Sequence, residues 1–108
     1  MLIRRYQAQD NEQVKALHYA GLAQFGASAD PYHDNDLDDI EGVYLSNGGE
    51  FLVGVVNNEI VAMGAVRKKS ADCGEIKRIR VKRGHQRLGY AETILLKLTG
   101  ISAALGYT

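Results

Sequence analysis

The chain has 108 residues, of which 45% are hydrophobic and 24% are charged, a size and composition typical of one soluble globular domain. No apolar run approaches the ~20 residues of a membrane span, the N-terminal residues lack the apolar core of a signal peptide, and a lone cysteine, Cys73, excludes an intrachain disulfide. These features predict a cytoplasmic protein with a single domain, residues 1–108, and no membrane partner.

The charges sum to zero but are divided along the chain. Eight of the 13 acidic residues lie in the first 41 positions, and nine of the 13 Lys and Arg residues lie between Arg67 and Arg87. This division suits an enzyme that joins a polyanionic cofactor to an amine. Two solvated faces of opposite charge would give the same pattern.

The N-terminal residues predict a strand and then a helix. Residues 2–6 can form a short strand, and Asp10 offers a helix N-cap with Gln13 completing a capping box. Apolar residues at helical spacing follow. Because His18 falls within this apolar stripe, we interpret it as a packed histidine.

An acidic segment follows a loop that contains Pro31. Residues 34–45 combine aspartates with apolar side chains at helical spacing, which predicts a second helix. The segment does not fit a calcium loop, because Asp39 occupies the sixth position, which needs glycine, and Leu45 the twelfth, which needs glutamate. No metal site is predicted.

Two adjacent apolar runs predict the centre of a sheet. Residues 51–56 and 59–66 read as strands joined by Asn57 and Asn58, which tolerate the positive φ of a two-residue hairpin turn. Both runs are almost continuously apolar. We therefore expect helices on both faces of the sheet.

The next strand, residues 75–81, has an irregular apolar pattern. Ile79 and Val81 share one parity and Ile76 has the other, so strict alternation cannot place all three on one face. A β-bulge between Ile76 and Ile79 would restore a common face. A strand buried on both faces, with its basic side chains reaching solvent, is the alternative.

A basic loop and a long helix follow Val81. Six apolar residues at helical spacing predict one buried helix face that begins at Arg87 or Leu88; they are Leu88, Ala91, Leu95, Leu98, Ile101 and Leu105. The first N–H groups of a helix have no intrahelical acceptor and attract phosphate. Gly89 would let a ligand approach the backbone.

The hexapeptide Gln86-Arg87-Leu88-Gly89-Tyr90-Ala91 resembles the Q/R-x-x-G-x-G/A signature of the GCN5-related N-acetyltransferases (GNAT). Val81 stands five residues before Gln86, where that family ends a strand on a hydrophobic residue. Arg83 replaces the proline found in many members. Alone, the hexapeptide would also fit an ordinary helix start; the strand, loop and helix in register favour the family.

The resemblance implies a mixed α/β fold of the acyl-CoA N-acyltransferase type, with a largely antiparallel central sheet and helices on both faces. It also implies an N-acetyltransferase that transfers an acetyl group from acetyl-CoA to a small-molecule or peptide amine by direct attack. Acetyl-CoA would be the cosubstrate, and no metal is expected.

The resemblance further implies site residues. Those that would bind the cofactor are Ile79, Arg80, Val81, Gln86, Arg87, Leu88, Gly89, Tyr90 and Ala91. Glu75 occupies the position where several members carry a glutamate that acts as general base; it could equally be an exposed strand residue paired with Lys77 or Arg67. Tyr32 and His33 are candidate substrate contacts, although solvated loop residues would look the same.

The family pattern continues beyond residue 108 with a fifth strand, a helix and a hairpin, so the resemblance covers only the first two-thirds of that fold. We therefore expect a truncated N-acetyltransferase domain that lacks the C-terminal strands, and whose own activity the sequence does not decide. An uncovered fourth strand would favour a homodimer or other self-association.

Two other functions remain open from the sequence. The basic residues 77–87 could bind RNA or another polyanion, but that stretch has no interleaved aromatic residue for base stacking, which argues against nucleic acid. The third function is a non-catalytic acyl-CoA sensor.

Overall fold

The computed structural model describes residues 1–24, 26 and 35–107. Its main elements, in chain order, are β1 (Leu2–Arg5), α1 (Asn11–Gln24), β2 (Glu50–Val56), β3 (Glu59–Ser70), β4 (Cys73–Val81) and α2 (Tyr90–Ala104). The strands form one antiparallel sheet in the order β1-β2-β3-β4. The predicted mixed α/β class with a largely antiparallel sheet is confirmed.

Apolar side chains cover both faces of the sheet. On one face α1 and the short helical turns at Asn35–Asp38 and Glu41–Leu45 pack over Phe51, Val53 and Met63. On the other face α2 packs over the residues of opposite parity, including Leu52 and Val66. The continuously apolar central strands therefore predicted the two layers correctly.

The predicted hairpin between the central strands is present. Asn57 and Asn58 have φ of 50° and 64°, the left-handed conformation that such a turn needs. β3 continues to Ser70, four residues beyond its predicted end, so the next turn lies at Ala71 and Asp72.

The predicted capping box at the start of α1 is wrong. The Asp10 carboxylate accepts a hydrogen bond from the Gln7 backbone N–H at 2.8 Å and pairs with Arg4 at 2.7 and 2.9 Å. The Gln13 side chain instead accepts a hydrogen bond from the Ile60 N–H at 3.1 Å. Asp10 thus stabilises the turn before α1, and Gln13 ties α1 to the sheet.

The predicted face of the last helix is only partly right. Of the predicted residues, Leu98 is fully buried and Ile101 packs against the same cluster, but Leu88, Leu95 and Leu105 are 60%, 43% and 45% exposed. The other fully buried residue of α2 is Ile94, which was not predicted. Apolar residues occur on several faces of this helix, so helical spacing alone did not single out the one that packs. Within the described ranges no helix has the length and apolar character to cross a membrane.

Candidate functional site

The predicted β-bulge in β4 is present. Arg80 pairs with Met63 and Lys77 with Ala65, so Arg78 and Ile79 together lie opposite the single residue Gly64. Arg78 has φ of 62°, a left-handed conformation that is uncommon for residues other than glycine. The bulge interrupts the regular β3–β4 pairing and redirects the strand.

Ile79 holds the bulge from the α2 side. A Cβ on Gly64 would lie 2.7 Å from Ile79 Cδ1 and 2.7 Å from Ile94 Cγ2. The absence of a side chain at this position therefore lets Ile79 pack between the sheet and α2. Ile76 and Val81 pack in the same layer, which is the common face that the bulge was predicted to restore.

Arg78 is held on the opposite face. Its Nε donates to Asp36 Oδ2 at 3.0 Å and its terminal nitrogen donates to Asp36 Oδ1 at 2.6 Å. The Tyr44 hydroxyl also donates to Asp36 Oδ2. The side chains of Arg78 and Asp36 are only 12% and 2% exposed, and Tyr44 is fully buried. We call these three residues the Arg78 cluster.

The pKa values within the Arg78 cluster favour a charged pair. Burial by itself would raise the pKa of Asp36, but hydrogen bonds from Arg78 and Tyr44 outweigh it and lower that pKa below its ordinary value of 3.8. The pKa of the Tyr44 hydroxyl is raised, by burial first and then by its hydrogen bond to Asp36. Asp36 therefore carries its charge, and Tyr44 its proton, at neutral pH.

The loop between β4 and α2 has an irregular backbone. Gly84, Arg87 and Gly89 have φ of 92°, 66° and 81°, so residues 87–89 cannot be helical and α2 begins at Tyr90 rather than at the predicted Arg87 or Leu88. The Gln86 side-chain amide donates to the Val81 carbonyl at 3.0 Å. Gln86 thereby fixes the loop to the end of β4.

A cavity of about 220 Å³ lies where β4, this loop and α2 meet. It brings together six of the nine predicted cofactor residues, and its lining is Val81, Gln86, Arg87, Gly89, Tyr90, Ala91 and Glu92. No described side chain caps the start of α2. The first amides of α2 are therefore available to an anionic ligand.

Two charged residues line this cavity, Arg87 and Glu92. Arg87 has no ion pair with any residue in the described ranges, and neither has Arg83 in the same loop, whereas Lys82 pairs with Glu59. Glu92 contributes a carboxylate in the first turn of α2, but its side chain is exposed. Open space also surrounds Gly84 and Gly89, where an added Cβ would meet no atom within 4 Å.

The remaining predicted residues are distributed around the bulge. Arg80 faces α1, since a Cβ on Gly21 would lie 3.0 Å from its Cδ, and Leu88 is exposed outside the cavity lining. Glu75 lies on β4 before the bulge, with its side chain 43% exposed and its carboxylate 3.6 Å from Lys69 and 3.8 Å from Lys77. The candidate substrate residues Tyr32 and His33 lie outside the described residues.

The sequence did not identify the Arg78 cluster. Asp36 was one of several aspartates in the predicted acidic helix, and Arg78 was one of several cations in β4. The available signal was the change in the alternation of apolar residues between Ile76 and Ile79, because that change places a bulge at Arg78. Nothing in the sequence connects that residue to Asp36, 42 positions earlier.

Residues 11–108 match the family model described as "Acetyltransferase (GNAT) family". A comparison with curated protein sequences finds no match.

Several solved structures have a similar fold. An acetyltransferase of the GNAT family from Staphylococcus aureus Mu50 has a TM-score of 0.89 and 22% identity over 95% of this chain and 66% of its own. An acetyltransferase from Streptococcus agalactiae has a TM-score of 0.89 and 15% identity over 99% of this chain and 68% of its own. PaiA N-acetyltransferase from Thermoplasma acidophilum, solved in complex with coenzyme A, has a TM-score of 0.71 and 15% identity over 97% of this chain and 73% of its own. The chain thus spans about two-thirds of the first two relatives.

Proposed function

Because this chain belongs to the acetyltransferase (GNAT) family, we propose that residues 1–108 form an N-acetyltransferase domain that binds acetyl-CoA and acetylates an amine in the cytoplasm. The observation that carries the proposal is the cavity at the start of α2, where six of the nine predicted cofactor residues lie beside uncapped helix amides. Acyl-CoA thioesters carry a diphosphate, and a helix N-terminus is a favourable site for such a group.

The residues present fit a diphosphate. The left-handed backbone at Arg87 and Gly89 turns the loop around the cavity, and consecutive N–H groups in such a loop can converge on an anion. Arg87 adds positive charge to the cavity lining and has no ion pair with any carboxylate in the part of the chain that the structure describes. Glu92 is exposed, so its carboxylate can turn towards solvent when an anion binds.

The bulge would place the reacting end of the cosubstrate. It interrupts the strand ladder beside Ile79 and Arg80, so backbone groups there can bond to the thioester arm and to the acetyl oxygen. The amine nitrogen forms the new C–N bond while the C–S bond breaks, and coenzyme A leaves as the thiolate. In this proposal Glu75 accepts the proton that the amine loses.

Binding of coenzyme A tests the cavity directly. Gly89→Glu should weaken binding at least about 100-fold, because two like charges about 4 Å apart near a protein surface repel by several kcal/mol. Gly106→Glu is the matched control, since Gly106 also has positive φ, 90°, and open space around it, but follows the far end of α2. Both variants carry the backbone strain; only Gly89→Glu places charge at the cavity. Calorimetry that gives both variants the wild-type affinity would refute the site.

Release of the coenzyme A thiol tests the reaction. A colorimetric thiol assay with acetyl-CoA and a panel of amines should show acceptor-dependent release by the wild-type protein. Binding of acetyl-CoA without thiol release for any amine would favour the acyl-CoA sensor instead.

A further inference from the structure

We propose that the Arg78 cluster (Arg78, Asp36 and Tyr44) is a positioning network, which fixes the β4 bulge so that its backbone holds the acetyl group of the bound thioester. This inference rests on the proposed function, because it assigns a role at the same site. Arg78 is a positioning residue in this proposal; it does not contact the reacting atoms.

The bulge is fixed from both faces of the sheet. Ile79 is packed against α2 through the space that Gly64 leaves open, and Arg78 makes two hydrogen bonds to Asp36 on the other face. A side chain held on one face only would leave the strand able to slide into a regular register. With both held, the two residues of the bulge are kept in place.

The left-handed backbone at Arg78 is stabilised by this restraint. An arginine with φ of 62° is disfavoured relative to extended backbone, and such strain persists where surrounding contacts over-determine it. The planar guanidinium and the carboxylate fit each other in a fixed orientation, so this pair determines the direction as well as the position of the Arg78 side chain. The buried Tyr44 hydroxyl fixes Asp36 in turn.

The cluster also connects two parts of the chain that are far apart in sequence. Asp36 and Tyr44 belong to the helical turns at Asn35–Asp38 and Glu41–Leu45, and Arg78 belongs to β4. The helical turns of the acidic segment are thus joined to the strand that would hold the acetyl group, through contacts that are almost fully buried.

The test compares affinities for acetyl-CoA and coenzyme A, which differ by the acetyl group that the bulge would hold. The variants are Asp36→Asn and the milder Arg78→Lys, which keeps the charge but loses the bidentate geometry. Asp10→Asn is the matched control. Asp10 is also a buried aspartate, 3% exposed, with a bidentate arginine partner, but it lies beside β1.

We expect the wild-type protein and Asp10→Asn to prefer acetyl-CoA over coenzyme A. In Asp36→Asn and Arg78→Lys the ratio of the acetyl-CoA affinity to the coenzyme A affinity should fall about two- to tenfold, which corresponds to the net free energy of one hydrogen bond to a carbonyl. The affinity for coenzyme A itself should not change. A merely structural role would lower both affinities together, or lower neither. An unchanged preference in Arg78→Lys and Asp36→Asn, or equal wild-type affinity for the two ligands, would overturn the inference. Failure of the wild type to bind coenzyme A at all would instead refute the proposed function.

Discussion

At the scale of single residues, Asp36 contributes stability that depends on pH. Its pKa is lowered in the folded protein, because hydrogen bonds from Arg78 and Tyr44 outweigh the effect of burial. A carboxyl whose folded pKa lies below its unfolded pKa stabilises the fold fully above the unfolded pKa, near 4, and loses that contribution as the pH falls through the folded pKa.

We therefore predict that Asp36→Asn lowers the free energy of unfolding by about 3 kcal/mol at neutral pH, as for breaking one partner of a buried pair. The deficit relative to the wild type should shrink as the pH falls from about 5 through the lowered pKa of Asp36. Urea denaturation across this range measures both quantities. Asp10 also has a lowered pKa and is present in both proteins, so the difference between them isolates Asp36. A deficit that stays constant with pH would contradict the assignment.

Glu75 illustrates how an exposed side chain can leave two functions open. The sequence allowed either a general base or a strand residue paired with a cation, and the structure places its carboxylate near Lys69 and Lys77 while leaving it 43% exposed. An exposed pair of this kind contributes at most about 1 kcal/mol to stability. Its geometry is therefore compatible with an additional catalytic role.

If Glu75 is the base, Glu75→Gln should lower turnover by about 100-fold or more, the usual contribution of a positioned base, while coenzyme A affinity stays near the wild-type value. Glu12→Gln, at an exposed position of α1, is the control and should keep full turnover. The thiol-release assay and calorimetry measure the two quantities. Wild-type turnover in Glu75→Gln would remove this residue from the mechanism.

At the scale of elements, the fit between β3, β4 and α2 depends on Gly64. We expect Gly64→Ala to destabilise the protein by about 1–3 kcal/mol, because its methyl group would overlap Ile79 and Ile94 at 2.7 Å.

Gly100→Ala gives the opposite expectation. Gly100 lies inside α2 with no atom within 4 Å of an added Cβ, so alanine should stabilise the helix by about 0.5–1 kcal/mol. Thermal or urea unfolding measures the change in stability of each variant. A Gly64→Ala variant as stable as the wild type would show that the bulge is loosely packed.

The elements that the sequence predicted well are those determined by local backbone chemistry. Asn57 and Asn58 form their turn because asparagine tolerates positive φ. The bulge could be predicted because the alternation of apolar residues changes within a single strand. The start of α2 was missed because Arg87, which has no intrinsic preference for positive φ, adopts it here. The buried face of α2 was predicted only in part, at Leu98 and Ile101, because the choice among several apolar faces depends on the sheet that the helix meets.

At the scale of the whole molecule, the family could be inferred from residues 81–91, because the strand, loop and helix start are contiguous in sequence and carry a recognisable pattern. The salt bridge between Asp36 and Arg78 could not be inferred, because two residues 42 positions apart come together only when the helical turns pack on the sheet. Long-range pairs of this kind follow from the fold and not from local spacing.

The sheet ends at β4 in the part of the chain that the structure describes, and an unpaired strand edge is a common route to self-association. Exposed leucines on α2 offer a second route, since Leu95 and Leu96 are 43% and 73% exposed.

We predict a sedimentation coefficient that rises with protein concentration. If the β4 edge is the interface, the rise should persist in the double variant Leu95→Lys and Leu96→Lys, because backbone pairing does not need those side chains. If the double variant is monomeric at every concentration, the face of α2 is the interface. A wild-type protein that sediments as a monomer at every concentration would contradict self-association itself.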